Sequence, residues 1–282
     1  MTTAMTTPTT TLPDPLPETT GDLVRTERSA GVLTVTLDAP ETGNALDVAM
    51  CTALGEALES AGRDPEIHCV LIRSSGRHFC TGGNVKDMRS GADLMAGSVA
   101  DVRDRLAASL HRVTRALHEL PVPSIAALDG SAIGAGCDLA LMCDLRIAGE
   151  KAVLAESFLR LGLVSGIGGA WFLSRLVGPT KALELTLTSE FVDAPRALEL
   201  GLVTRVVPSA QLEKEASGLA AAIAARPPRA LRMAKRLVRE SAEASLPAAL
   251  EMAGSMQAIL LGGDEHKAAV SAFLESRAAR RA

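Results

Sequence analysis

Apolar and polar residues first fall into regular alternation between Leu23 and Leu37, where LVRTERSAGVLTVTL reads as a strand, a turn at Gly31 and a second strand, VLTVTL, with one face buried. Asp47 can cap a helix running to about Ala61, Asp64-Pro65 turns the chain, and CVLIRSS follows as a buried β-branched strand. Strand, helix and strand in that order predict a parallel sheet with crossover helices. FCTGGNVKDM, from Phe79 to Met88, is a glycine loop opening into a short helix, and the spacing from Val102 to Leu120 predicts one longer amphipathic helix.

PVPSIAALDG then reads as a buried strand and CDLRIA as another, with SAIGAGCDLALMCD between them: a glycine loop leading into an apolar helix. SGIGGAWFLSRLVG is a further glycine loop feeding a helix, and LELTLTSEFVDAPRALELGLVTRVV a helix, turn, helix and strand. Past Pro208 the pattern changes to four helical segments, 210–225, 229–241, 246–262 and 264–280, punctuated by Pro227-Pro228 and Gly262-Gly263. Their Ala- and Leu-rich faces suit burial against another subunit as well as against their own core.

Composition narrows the function classes. A chain of 282 residues with 47% apolar content can bury a large core. A formal charge of -4 and 2% aromatic residues give no footprint for nucleic acid. Cys51, Cys69, Cys80, Cys137 and Cys143 stand singly in apolar surroundings, which points to buried reduced thiols, a cytoplasmic protein and no metal site. Residues 1–21 lack the basic and apolar regions of a signal and read as a disordered Thr/Pro tail; no later run is long enough to span a membrane.

Two loops, TGGN at Thr81 and GAG at Gly134, each lead into a helix, whose unpaired N–H groups can hold an oxyanion. Converging, they would form a two-donor oxyanion hole; the plainer reading is that their glycines only make turns. A dinucleotide site is a weaker fit, because Leu139 stands where the third glycine of that fingerprint belongs. Asp138, in the first turn of its helix, either stabilises that helix by about 0.3 to 1 kcal/mol or takes part in chemistry.

NALD at Asn44, FCTGGNVKDM at Phe79, the block from Pro121 to Asp144 continuing into LRIAGEKA, LGLVSGIGGAWFLSRLVG at Leu161 and LGLVTRVVP at Leu200 together resemble the crotonase (enoyl-CoA hydratase/isomerase) superfamily, in order from about residue 22 to the C-terminus. The resemblance implies an α/β fold: a spiral of repeated ββα units over 22–208 that binds acyl-CoA, then a helical region over 209–282 that builds trimers, often paired into hexamers. It implies an acyl-CoA substrate whose thioester enolate is held by the N–H groups of Gly83 and Ala135, and no cofactor beyond the coenzyme A of the substrate. Asp138 then falls beside the reacting carbons, at the place of the first of two hydratase glutamates.

The second glutamate's place is taken by Phe158, and Gly166 fills a third position that is acidic in some relatives. Hydration needs both a base for water and an acid for the α-carbon, so the expectation is an enoyl-CoA hydratase with a single-carboxylate site, or else an isomerase, decarboxylase, thioester hydrolase or non-catalytic acyl-CoA-binding subunit. Glu156, two residues before Phe158, shares its face if the segment is extended and could supply the missing group; alternatively it is a solvated or helix-capping charge. Met88, Phe158 and Trp171 are expected along the acyl pocket, with core packing the stronger reading for Trp171. His78 is not expected to be a base, and Asn44 and Asp144 are read as structural. Arg277, with Arg280 and Arg281, closes the last helix where the family approaches the CoA phosphates, Ser276 holding the position where relatives can have a lysine.

Overall fold

A computed structural model of the protein describes residues 23–279; the expected tail over 1–21, and Arg280 and Arg281, lie outside the described residues. The chain opens with β1 (Val24–Ser29) and β2 (Val32–Leu37), paired antiparallel as their alternation predicts, followed by α1 (Val48–Arg63), whose first turn is capped by Asp47 accepting from the Met50 N–H at 2.7 Å. Next come β3 (Cys69–Ser74), β4 (His78–Cys80), the short α2 (Val85–Ser90), α3 (Val99–Ala108) and α4 (Leu110–His118). The single helix expected over 102–120 is therefore two. The Ser109 hydroxyl donates back to the Arg105 carbonyl at 2.6 Å and its backbone leaves helical geometry at φ -108°, ψ -80°. Only α4 has the apolar stripe, burying Leu110, Val113 and Leu117, whereas α3 buries nothing.

The pattern then repeats: β5 (Ser124–Leu128), β6 (Ser131–Ile133) and α5 (Ala135–Met142), followed by β7 (Leu145–Gly149), β8 (Val153–Ala155), a 3-10 turn over Ser157–Leu161 and α6 (Gly169–Val177). The first strand of each repeat joins a six-stranded sheet ordered β1-β2-β3-β5-β7-β10, and the second joins a four-stranded sheet ordered β4-β6-β8-β9. After α6 the chain adds α7 (Pro179–Thr188), β9 (Val192–Asp193), α8 (Ala194–Glu199) and β10 (Arg205–Val207). This is the spiral of ββα units, with β3, β5, β7 and β10 parallel as the crossover helices require.

Strands β3 and β5 are buried along nearly their whole length because both faces of their sheet are covered. One face meets the main core; on the other, α9 (Leu212–Ala224) lays Leu212, Ala216, Ala220 and Ala224 over Cys69, Leu71, Ile125, Ala127 and Ile147. The small side chains of α9 let it sit close to the sheet. By contrast α10 (Pro228–Ser241), α11 (Leu246–Leu261) and α12 (Asp264–Ala279) bury no residue. Leu246, Leu250, Ile259, Phe273 and Leu274 are exposed on them. Lys235 ties α10 to the core through the Val122 carbonyl at 2.7 Å and Asp144 at 2.6 Å. Among the described residues no helix is long and apolar enough to cross a membrane.

Asn44 carries the turn that sets the first glycine loop. Fully buried at φ +56°, it accepts from the Ala39 N–H at 2.8 Å and donates to the carbonyls of Ser75 at 3.0 Å and His78 at 2.9 Å. Neighbouring backbone bonds from Leu46 N–H to Gly82 and from Thr81 N–H to Gly43 fasten that turn to the loop at 2.8 and 3.0 Å. Asn44→Ala strands two buried carbonyls and an amide, so it is expected to lower the unfolding free energy by about 3 kcal/mol. Urea denaturation measures this, and a loss below about 0.5 kcal/mol would contradict the assignment.

Candidate active site

The two glycine loops follow β4 and β6, neighbours in the smaller sheet, and two glycines let them touch. A Cβ on Gly82, which sits at φ +86°, would stand 2.7 Å from the Ile133 carbonyl oxygen and 3.3 Å from the Ala135 nitrogen; one on Gly136 would stand 2.1 Å from the Cys80 oxygen. Any side chain at either position would push the loops apart. Ala135 is the first residue of α5, where an N–H has no intrahelical acceptor, and Gly83 precedes the Asn84 cap of α2. Among the described residues neither N–H has a protein acceptor. Their arrangement leaves two backbone donors free for an oxyanion.

Asp138 does not cap its helix. The N-cap of α5 is Gly134, with no side-chain cap, and the Asp138 side chain runs instead to Ser165, whose hydroxyl donates to Oδ2 at 2.6 Å. The carboxylate is 0% exposed and lies flat against Gly169, where a Cβ would come within 1.8 Å of Oδ1. Glu156 faces it. Of the two readings of that residue, the solvated or capping charge is ruled out: Glu156 is 5% exposed, begins the 3-10 turn without a side-chain cap bond, and lies close enough to Asp138 for each acid to act on the other. Two buried carboxyls so placed do not both ionise. Asp138 is thus accompanied by a second carboxyl, brought in by Glu156 and not by position 158.

Burial raises both acids. Loss of water, then the Asp138 charge and its hydrogen bond, push Glu156 up to about 10. Burial raises Asp138 as well, opposed by the neighbouring Glu156 carboxyl and by the hydrogen bond from Ser165, so the pair carries its proton on Glu156 and its charge on Asp138. Cys137, fully buried next to both, is held as a thiol well above its ordinary range by burial and by the carboxylates. Asp138 Oδ1 and Glu156 Oε1 are left as buried oxygens without a partner.

The remaining expected residues divide. Phe158 is half-buried, its ring edge 3.8 Å from where a Gly134 Cβ would be, and so stands beside the second donor loop. Met88 lies over the first, its terminal methyl 2.5 Å from a Cβ built on Gly83. A side chain at Gly166 would meet nothing within 4 Å, but its carbonyl is held by His111 Nε2 at 2.9 Å.

Trp171 fits neither expectation made for it. At 40% exposed it is not core, and it lies two residues beyond Gly169 on α6, which turns it to the opposite side of the helix from Asp138. There it packs edge-on against His118 and Phe172, stacks under the Arg175 guanidinium at 3.7 Å, and lines a cavity of about 920 Å³ beneath α10. Arg277 sits on the exposed α12, its guanidinium 5.8 Å from the Phe273 ring. His78 contributes its carbonyl to Asn44.

Sequence reasoning missed Ser165 and Gly169, which hold Asp138 in place. The available signal was a hydroxyl directly before the Gly-x-Gly-Gly run that opens α6. Among the described residues no three or more His, Cys, Asp or Glu side chains group as a metal site.

Comparison with known proteins gives this geometry a family. The family model described as Enoyl-CoA hydratase/isomerase matches residues 27–280. The chain is 36% identical over 250 residues to the 2,3-dehydroadipyl-CoA hydratase of Escherichia coli K12, covering 89% of this chain and 94% of that one. It superposes on a Mycobacterium smegmatis enoyl-CoA hydratase at a TM-score of 0.82 with 37% identity, covering 90% and 96% of the two chains, and on one from Bacillus anthracis at 0.84 with 28% identity over 90% and 96%. With nearly its whole length matched in sequence and in structure, the chain belongs to the enoyl-CoA hydratase/isomerase family of enzymes.

Proposed function

We propose that this enzyme adds water to a 2-enoyl-CoA with the Asp138–Glu156 pair as its acid/base. The observation that carries the reading is that pair, two buried neighbouring carboxyls, beside a loop whose Ala135 N–H is free; burial and their mutual charge keep one of them protonated. The thioester carbonyl accepts from the Gly83 and Ala135 N–H groups, which draws electrons from the β-carbon and stabilises the enolate that follows. Ionised Asp138 takes a proton from water as its oxygen bonds to the β-carbon. The pair, now holding two protons, returns one to the α-carbon and regains its starting state. One carboxyl pair therefore serves both halves of the reaction.

The substrate reaches this site past Met88, whose flexible thioether can swing from Gly83, and against Phe158. The apolar residue at 158 and the open space at Gly166 suit a bulky or aromatic acyl group. Arg277 is assigned to the CoA phosphates, reaching them from a neighbouring subunit of a homotrimer or homohexamer. The exposed apolar residues of α11 and α12 support that assembly, and five buried free cysteines support a cytoplasmic setting. No cofactor beyond coenzyme A is required.

Following loss of the conjugated enoyl-thioester absorbance tests the reading. Asp138→Asn is expected to lower hydration by about a hundredfold or more, with acyl-CoA binding retained; hydration at the wild-type rate would sink it. Gly169→Ala, which drives a methyl into the Asp138 carboxylate, is expected to lower turnover by a comparable factor. Turnover of a 2-enoyl-CoA series should favour bulky acyl groups, and a maximum at short linear chains would remove Phe158 from the pocket wall.

Glu156 also sets a pH signature. Between an unfolded value near 4.5 and a folded value of about 10, the native protein holds a proton at Glu156 that the unfolded chain has lost. Its contribution to stability is present in full below the lower value and is lost as pH rises through the window, with a slope approaching about 1.4 kcal/mol per pH unit. Glu156→Gln is expected to flatten that slope in melts between pH 6 and 9 and to reduce turnover. An unaltered slope would mean Glu156 is not the proton holder, and unaltered turnover would remove it from the chemistry.

A further inference from the structure

We infer that Ser165 is a positioning residue for the reaction, its hydroxyl deciding which oxygen of Asp138 is tied to the protein and which is left to exchange a proton. The inference rests on the acid/base role of Asp138 given above. A serine hydroxyl has one hydrogen to give. The Gly169 N–H donates to the Ser165 oxygen at 2.9 Å, which turns that hydrogen towards Asp138 Oδ2, 2.6 Å away. The separation is that of an O–H donating to an anion. Oδ2 is therefore occupied as an acceptor, while Oδ1 has no partner.

The groups facing Asp138 come from three directions: Glu156 after β8, Cys137 from α5 itself, and Ser165 with the Gly169 N–H at the start of α6. No cation stands among them. Among the described residues the Ser165 hydroxyl is the one side-chain donor to the carboxylate that does not itself titrate, so its hydrogen bond favours the ionised form under every protonation state of Glu156. It also prevents rotation of the carboxylate, which would exchange the tethered and free oxygens. The proton taken from water then goes to Oδ1, the oxygen that Ser165 does not tie.

The test compares the full-length protein with Ser165→Ala and Ser165→Thr, by kcat and KM on a 2-enoyl-CoA, the pH profile of kcat/KM, and the 13C titration of the Asp138 carboxyl by NMR. Loss of the hydroxyl is expected to lower kcat about ten- to a hundredfold, to change KM by less than about threefold, and to move the acidic limb and the Asp138 titration to higher pH. Ser165→Thr, which keeps the hydroxyl, is expected to recover both rate and profile. Should Ser165→Ala fail to fold, Ser165→Cys, similar in volume with a weak donor, is read in its place with the same expectation. A Ser165→Ala or Ser165→Cys protein with the wild-type kcat and acidic limb overturns the inference, as does a folded Ser165→Thr as impaired as Ser165→Ala. If the wild-type protein hydrates no enoyl-CoA, the functional reading fails on its own; the NMR titration still decides the role of Ser165, and an Asp138 carboxyl that titrates alike with and without the hydroxyl overturns it.

Discussion

A carboxylate shut away from water and from every cation is an expensive thing for a protein to hold, since burial without pairing costs several kcal/mol. Asp138 is in that position, and much of the surrounding architecture is explained by what keeps it there. Ser165, itself held by the Gly169 N–H, supplies a hydrogen bond, and Glu156 supplies a proton that halves the charge of the pair. Because Gly169 has no side chain, α6 can bring its first turn against the carboxylate. The orphaned oxygens Asp138 Oδ1 and Glu156 Oε1 leave the pair incompletely satisfied, which is where native structures keep reactivity instead of stability.

The second requirement is closeness. The loops carrying Gly83 and Ala135 are in backbone contact, and Gly82 and Gly136 remove the atoms that would hold them apart. Asn44 reaches across from the first repeat to pin the carbonyls before and at the start of β4, which fixes the strand that leads into the first loop. Beyond the site, Lys235 on α10 is half-buried with its side chain turned inward; loss of water lowers its pKa and Asp144 restores it in part. That pair fixes the helical region to the residue just past α5.

Most of the fold was legible because its signals are local. The alternation of β2, the Asp47 cap, the apolar runs of β3 and β5 and the proline and glycine stops between the last helices each carry their own physical cause. The break at Ser109 was not legible, because a serine that bonds back to its own helix looks like any helical serine until its neighbours are placed. The donor loops and Asp138 could be found from the motifs of a family. The partner of Asp138 could not be settled from them: Glu156 in a chain reads as a charge that prefers water, and only the packing of β8 against β6 turns it inward. Trp171 shows the reverse error, an aromatic near the right motif that helix geometry rotates to the far side.

The smaller sheet gives the site its plan. Gly83 comes just after β4, Ala135 and Asp138 just after β6, and Glu156 directly after β8, and these three strands are neighbours in that order. Each turn of the spiral thus delivers its contribution from the same place, stepped sideways by about the 4.8 Å between hydrogen-bonded strands. The reactive centre is a cross-section through a repeating structure, three copies of one position read side by side. Spacing is a property of the sheet and chemistry a property of the residue after each strand, so exchanging one such residue can alter the reaction while the distances between the three stations stay as they are.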